Sequence, residues 1–424
     1  MTVDRPLASQ ALFRNRNFTR YLLARVFATT ALQMQSVAVG WQVYALSGRV
    51  DYLGFVGLAH FVPFVTLVLF AGHFADRANR RAIVVACYVV EAGCSLALLF
   101  FSLSGLRVVW PIFIIVAVFG ATRAFIMPTT QAMLPNLVPT GHFARAVAFN
   151  SSTFQFSMIV GPAIAGLLYR LGPQVVYGTI AGLSGLAVAL MLMVEYRQKF
   201  AAGVEATFDS LFDGLRFVRT RPTILGAISL DLVAVLFGGA TALLPAYAKD
   251  VLHLGVDGFG WLRTAPGVGA AIMALALAAR PIHRRVGRWM FGGVTAFGVA
   301  TIVFGLSRSF PLSLAALVLL GAADMVSVYV RQLLVQIETP DRIRGRVSAV
   351  SAVFIGASNE LGEFESGMTA LWFGLVPAVV LGGIATLGVT GLWVALFPTL
   401  ARMDLFPRHA AEPSQPAEAD RAAH

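Results

Sequence analysis

Charge is what this sequence has least of: Asp, Glu, Lys and Arg together make up 12% of its 424 residues. A soluble protein keeps about a quarter of its residues charged, because its surface must be hydrated. Halving that share, with 58% hydrophobic residues and a mean hydropathy of +0.76, excludes an ordinary water-facing globule. Cysteine is nearly missing as well. Cys87 and Cys94 lie seven positions apart in one apolar run, about 10 Å along a helix and too far for a disulfide. Metal-ligand spacings are absent, so no metal and no cofactor is expected. A Gly-x4-Gly-Lys-Ser/Thr loop is also absent, which argues against ATP as the direct energy source. The seven His are scattered, and His253 with Asp257 is the nearest approach to a catalytic dyad, so a membrane acyl or glycosyl transferase is not expected. A net charge of +11 could suggest nucleic acid, but the basic residues fall in short clusters between apolar runs rather than in a stripe interleaved with aromatics. The first twenty residues are polar, carry Arg5, Arg14, Arg16 and Arg20, and lack the apolar core and cleavage site of a secretory signal. Thirty Arg against two Lys point to a bacterial source.

What the chain has in quantity is long apolar runs. Membrane-spanning helices need about 20 such residues each. Runs of that kind fall at 18–47, 52–72, 82–103, 108–131, 146–170, 174–195, 223–248, 258–280, 289–307, 310–337, 347–372 and 375–400, predicting an all-α integral membrane protein of twelve spans. Basic residues set the orientation, because they are retained on the cytoplasmic side. With the N-terminus inside, 23 of the 32 lie in cytoplasmic segments and five on the opposite side, so both termini are expected in the cytoplasm. The halves are expected at 1–195 and 223–402, joined by a linker at 196–222. In that linker Phe208, Leu211, Phe212, Leu215 and Phe217 fall largely on one helix face, predicting an amphipathic helix on the inner membrane surface. Residues 403–424, rich in Ala, Pro and acids, are expected to be a disordered tail.

The halves repeat each other. Gly120, Gln131, Pro139, Arg145, Gly161 and Gly166 each have an identical residue 201 positions on, at Gly321, Gln332, Pro340, Arg346, Gly362 and Gly367. Gly57 and Pro63 match Gly260 and Pro266 at an offset of 203. Six intervening spans leave both copies pointing the same way, and two parallel six-helix bundles are a transporter architecture with substrate bound between them.

Between spans 2 and 3 stand Gly72, Asp76, Arg77, Asn79, Arg80 and Arg81, in the run GHFADRANRR. Gly72 permits close helix approach, Asp76 can cap a helix or pair with Arg, and the arginines hold the loop at the inner face. The run resembles the loop signature of the major facilitator superfamily, with Asn79 where the family has its second glycine; Asn tolerates the left-handed backbone better than most residues. In span 5, Gly161, Pro162 and Gly166 resemble the superfamily's antiporter motif, a bent helix with a close-packing glycine. A packing kink without directional meaning reads equally well from the residues. The run from Ser358 to Gly367 in span 11, with Leu23 to Arg25 in span 1, resembles the enterobactin-exporter branch. This resemblance covers nearly the whole chain. It implies a multi-pass protein of the bacterial inner membrane that exports a siderophore or an amphiphilic, drug-like small molecule, as a monomer driven by protons. An uptake permease, or a transport-inactive sensor or assembly partner, are the alternatives.

Six carboxylates fall within the spans: Glu91, Asp231, Asp324, Glu360, Glu363 and Glu365. Each costs about 2.5–3.5 kcal/mol at the centre of a span unless it is protonated, paired or in a wet cavity. Glu360 and Glu363 share a helix face, where two carboxylates cannot both ionise cheaply, so they lead as a proton-coupling pair. Asp324 and Asp231 are further coupling candidates. Arg123 is equivalent to Asp324 in the repeat, and a pairing across the cavity or separate partners in each half are both open. Arg25, Gln33, Arg123, Asn359 and Arg331 are expected around the substrate, with Arg331 as a gate toward the cytoplasm. Hydration at the end of span 11, or structural ion pairing, would account for the same residues without a coupling role.

Overall fold

A computed structural model describes residues 14–139, 142–196, 215–340 and 343–407, and every described element is helical. The first half comprises α1 (Arg16–Ser47), α2 (Asp51–Arg77), α3 (Arg80–Leu103), α4 (Trp110–Leu137), α5 (Phe143–Tyr169) and α6 (Pro173–Leu192). The second comprises α7 (Pro222–Phe237), α8 (Val256–Ala279), α9 (Val286–Leu306), α10 (Phe310–Glu338), α11 (Arg344–Phe373) and α12 (Leu375–Leu396), followed by a short α13 (Pro398–Ala401). Eleven helices among the described residues are long and apolar enough to cross a membrane. The twelfth, α11, has the length at 30 residues, but the polar run at 359–365 dilutes its hydropathy.

The packing follows the repeat. In the first half α1 packs on α5 and α6, α2 on α4, and α3 on α4 and α6; in the second α7 packs on α11 and α12, α8 on α10, and α9 on α10 and α12. Repeat-related glycines make the close contacts. Gly120 lies against the backbone of His60, and Gly321 against that of Pro266, so neither position has room for a side chain.

The halves meet along two symmetry-related seams, α2 with α11 and α5 with α8. Both are built on glycine. A Cβ on Gly367 would stand 2.7 Å from Gly54 Cα, and one on Gly166 would stand 2.9 Å from Gly260 Cα. All four glycines lie in the helix halves remote from the α2–α3 loop, here called the far end; the end carrying that loop is the loop end. At the far end one apolar core joins both halves, from Val37 and Val43 through Tyr177 to Phe259, Leu262 and Phe304. At the loop end each half keeps its own core, around Tyr21, Tyr88 and Met133 in the first and Met290, Val330 and Leu334 in the second. Polar contacts add to the far-end closure: Tyr44 hydrogen-bonds Asp250, Arg170 pairs with Asp257, and Trp41 stacks on Phe259 at 5.8 Å.

Three segments differ from expectation. Span 7 is not one helix. α7 stops at Gly238 and continues through a 3-10 turn (Ala240–Leu243) and a π turn (Tyr247–Val251). Gly238 and Gly239 stand at the break, where glycine is a poor helix former, and Gly239 lets the backbone approach the Gly362 carbonyl and Ser366 Oγ of α11 with no room for a side chain. Of the linker helix, 208–214 lie outside the described residues. The described turn at 215–220 buries Val218 with Ile224, Ile228, Val335 and Val347 rather than lying free on a surface. Residues 403–407 are ordered against α9, whereas 408–424 lie outside the described residues. The Gly287 N–H donates to the Met403 carbonyl at 2.9 Å, and Arg284 pairs with Asp404 at 3.1 Å, holding that carboxyl below the usual carboxylate range.

The seam carries a testable consequence. Gly166→Leu is expected to wedge α5 from α8 and cost about 1–3 kcal/mol, the usual price of overpacking. Thermal unfolding in detergent should show a lower Tm than Gly178→Leu, at a position with open space around it; equal Tm values would contradict the seam.

Candidate functional site

A cavity of about 170 Å³ lies between the halves, lined by α1, α2 and α4 from one and α8 and α11 from the other. Its polar lining is Gln33, Gln35 and Ser36 of α1, His60 of α2, Arg123 of α4, Arg263 of α8, and Glu360 and Glu363 of α11. Glycine places the acids there. A Cβ on Gly57 would stand 2.8 Å from Glu363 Cβ and 3.1 Å from the Glu360 carbonyl, so only a bare backbone on α2 admits this stretch of α11.

Glu360 is the hub. Its Oε1 accepts from Arg123 Nη1 at 2.7 Å and lies 3.0 Å from His60 Nδ1. The His60 contact is within ion-pair range but off the line of a hydrogen bond, since that nitrogen lacks a hydrogen-bond partner. Arg123 also lies 5.5 Å over the Phe64 ring. Glu363 shares the cavity, yet among the described residues no cation is in ion-pair contact with it. Arg263 donates to the Thr241 carbonyl at 3.1 Å and the Ser36 hydroxyl at 3.4 Å, both neutral acceptors.

Asp231 and Arg331 form a second buried cluster inside the second half. They approach to 3.4 Å with side chains 5% and 3% exposed. Ser327 donates to Asp231 at 3.1 Å, and Asp324 lines the same void with Ala234 and Phe297. That void is about 10 Å³, room for a single water. Arg331 thus pairs with Asp231, and Asp324 lies beside the pair with no ion-pair contact of its own among the described residues.

The expected residues thus separate. Glu360, Glu363, Gln33 and Arg123 come together in the cavity; Asp231, Asp324 and Arg331 come together apart from it. Arg123 does not face its repeat counterpart Asp324, because Glu360 from α11 stands nearer across the seam. Arg25 is not in the cavity lining. It reaches Thr130 within its own half at 3.3 Å. Asn359 is exposed and outside the lining, one helical step of about 100° from Glu360 and so on another face. Glu365 accepts from Thr369 at 2.7 Å on its own helix, and Glu91 accepts from Thr122 at 3.2 Å. Gln35 and Ser36 are polar cavity members missing from the expected set, and so are His60 and Arg263. The signal for the latter two was the repeat, which puts them at equivalent positions on α2 and α8.

The loop motif acts as a brace. Asn79 caps α3 by accepting from Ala82 N–H at 3.2 Å. Arg80 donates to the Ala132 carbonyl of α4 at 3.1 Å, and Arg81 to the Met191 and Leu192 carbonyls that end α6. Carbonyls at a helix C-terminus lack intrahelical partners and carry partial negative charge, so a guanidinium fits there. The surroundings of Gly72 and the side chains of Asp76 and Arg77 lie outside what the structure describes. In the α5 motif Gly161 faces α1, where a Cβ would meet Gln33 Cβ at 2.6 Å, while Gly166 and the Pro162 carbonyl face Gly260 across the seam. The motif therefore touches the cavity lining on one side and the opposite half on the other.

A family model described as transmembrane secretion effector, within the major facilitator superfamily, matches residues 7–420. The chain belongs to that family. Among its relatives is the enterobactin exporter EntS of Escherichia coli O1:K1 / APEC, 24% identical over 381 residues, covering 86% of the transporter and 90% of the relative. EntS of Shigella boydii serotype 18 matches to the same extent. Similar solved structures include the nucleoside transporter NupG (TM-score 0.68, 14% identity, 90% of this chain and 99% of that one). A D-xylose-proton symporter is another (TM-score 0.69, 14% identity, 91% and 97%). At those identities the structures speak for the fold, which is that of major facilitator transporters rather than enzymes. The transporter is a multi-pass membrane protein that handles a small molecule.

The second cluster gives a stability test. Arg331→Met leaves Asp231 and Asp324 buried without a cation, and breaking a buried pair costs about 3–5 kcal/mol. A marked drop in Tm is expected, recovered in part by adding Asp231→Asn and Asp324→Asn. An unchanged Tm would show that the guanidinium compensates neither acid.

Proposed function

We propose that the transporter is a proton-driven exporter of a siderophore or an amphiphilic, drug-like small molecule, working by alternating access in a bacterial inner membrane. Both termini are placed in the cytoplasm on the distribution of basic residues, so the loop end faces inward. The shared core and seam glycines then close the outer side, while the separate cores leave the inner side able to admit substrate. Export is supported by the relatives' name and by the α5 motif at the junction of cavity and seam. One chain supplies every wall of the cavity, so a monomer is a complete unit. The chamber of about 170 Å³ is smaller than the roughly 300–1,000 Å³ of drug-sized sites. A substrate of that class must extend from it toward the inner side.

The observation that carries proton coupling is the inequality of the two cavity acids. Glu360 is committed to Arg123 and His60, whereas Glu363 has no cation in ion-pair contact among the described residues and is the group available to take and release a proton. Asp231 and Asp324 are an accessory pair. Asp231 is paired with Arg331 and Asp324 lies beside them, away from the cavity, an arrangement that fits a structural role as well as a relay.

Flux in proteoliposomes under an imposed pH gradient tests this reading, with siderophores and lipophilic dyes as probes. Substrate is expected to move against its own gradient as protons move the opposite way. Glu363→Gln should abolish gradient-driven accumulation while leaving downhill exchange. Accumulation in the same direction as proton flow would instead identify an uptake permease, and full coupling in Glu363→Gln would remove this acid from the mechanism.

A further inference from the structure

We propose that the central cavity selects an anionic substrate, held by Arg263 and by Arg123, with Glu360 as the internal carboxylate that the substrate's anionic group displaces from Arg123. This rests on the reading of the cavity as the transport site, and it adds the charge of the substrate, which neither the family nor the relatives' name supplies.

Formally the lining is balanced, with two arginines and two glutamates, so the choice depends on which groups face the open space. Arg263 is the first indication. Both of its described contacts are neutral, the Thr241 carbonyl and the Ser36 hydroxyl, and among the described residues no carboxylate is in ion-pair contact with it. Glu363 shares the cavity with it but is not in ion-pair contact among the described residues, so a substrate anion would be the group to meet this guanidinium directly. Arg123 is the second. Its side chain is 36% exposed while that of its partner Glu360 is 11% exposed, so the cation of the pair fronts the cavity and the carboxylate stands behind it. With one face of the guanidinium over the Phe64 ring, its edge remains for hydrogen bonding. That planar fork suits a carboxylate, phenolate or phosphate.

The opposite choice, a cationic substrate, would have to use Glu363. That side chain is pressed on α2, with Oε2 only 3.1 Å from where a Cβ of Gly57 would be. Its carboxyl lines the cavity but is set against the α2 backbone, which limits its reach into the open space. Glu360 is unsuited as well, because a single oxygen already serves Arg123 and His60. Substrate anion and Glu360 thus compete for one guanidinium.

Binding to the purified full-length transporter in lipid nanodiscs tests this, using three radiolabelled probes of nearly equal shape in equilibrium dialysis at neutral pH. These are benzoate, benzamide and benzamidine, which differ in charge. Benzoate is expected to bind about tenfold tighter than either of the others, the worth of one charge-assisted hydrogen bond. Arg263→Gln should lower benzoate affinity about tenfold while leaving benzamide within about twofold, and Arg263→Lys should restore most of the loss. Glu360→Gln should strengthen benzoate binding by freeing Arg123. Tighter binding of benzamidine, indifference of benzoate to Arg263→Gln, or binding of none of the three would overturn the proposal. Because dialysis is blind to flux, the two readings fail separately. Anion selectivity without gradient-driven flux would sink export alone; gradient-driven flux of neutral or cationic compounds with no preference for benzoate would sink anion selection alone.

Discussion

Charge at membrane depth is the constraint on which the rest of this structure depends. An uncompensated carboxylate or guanidinium inside the bilayer costs about 2.5–3.5 kcal/mol even on the gentlest scale. The chain carries several of each and meets the cost in two ways. In the second half Asp231, Asp324 and Arg331 compensate one another in a space that holds a single water. Between the halves Arg123, His60, Arg263, Glu360 and Glu363 line a chamber instead. The first arrangement stiffens one bundle. The second exists only where the two bundles face each other, so its compensation changes whenever they move.

Glycine makes that movement compatible with a closed outer side. Gly54, Gly57 and Gly367 on one seam and Gly166 and Gly260 on the other let backbones touch, and van der Waals contact is what holds helices together in lipid. Such seams have few polar groups to desolvate when they close. The polar contacts that do cross at that end, Tyr44 with Asp250 and Arg170 with Asp257, lie beyond the glycines, where water can receive them on opening. Gly57 joins the two themes, since the residue that allows α2 to meet α11 also sets Glu363 against the α2 backbone.

Much of this was legible in the sequence because lipid allows few solutions. Long apolar runs mark the spans, and identities at a fixed offset mark the repeat, down to Gly120 and Gly321 making equivalent contacts. The intramembrane acids announce themselves by being rare. What escaped reading depends on which faces meet. Arg123 and Asp324 are related by the repeat, but relatedness by a pseudo-two-fold does not make two residues neighbours, and the acid that Arg123 meets is Glu360 from α11. Asn359 is adjacent to Glu360 in sequence and turned away from the cavity in space. The break in α7 was hidden because Gly238 and Gly239 sit in an apolar run whose hydropathy continues past them, and only the structure shows how closely Gly239 approaches α11 at Gly362.

The most direct test of the central claim concerns water rather than flux. If charged side chains are sustained by a wet crevice between the bundles, a residue on its wall must be reachable by a polar reagent from one side of the membrane. Gln33→Cys, in a background with Cys87 and Cys94 replaced, should react with a membrane-impermeant thiol reagent added on the side of the α2–α3 loop. Its reaction from the other side should be far slower. Reaction only with a lipophilic reagent, or none from either side, would mean that no such crevice exists.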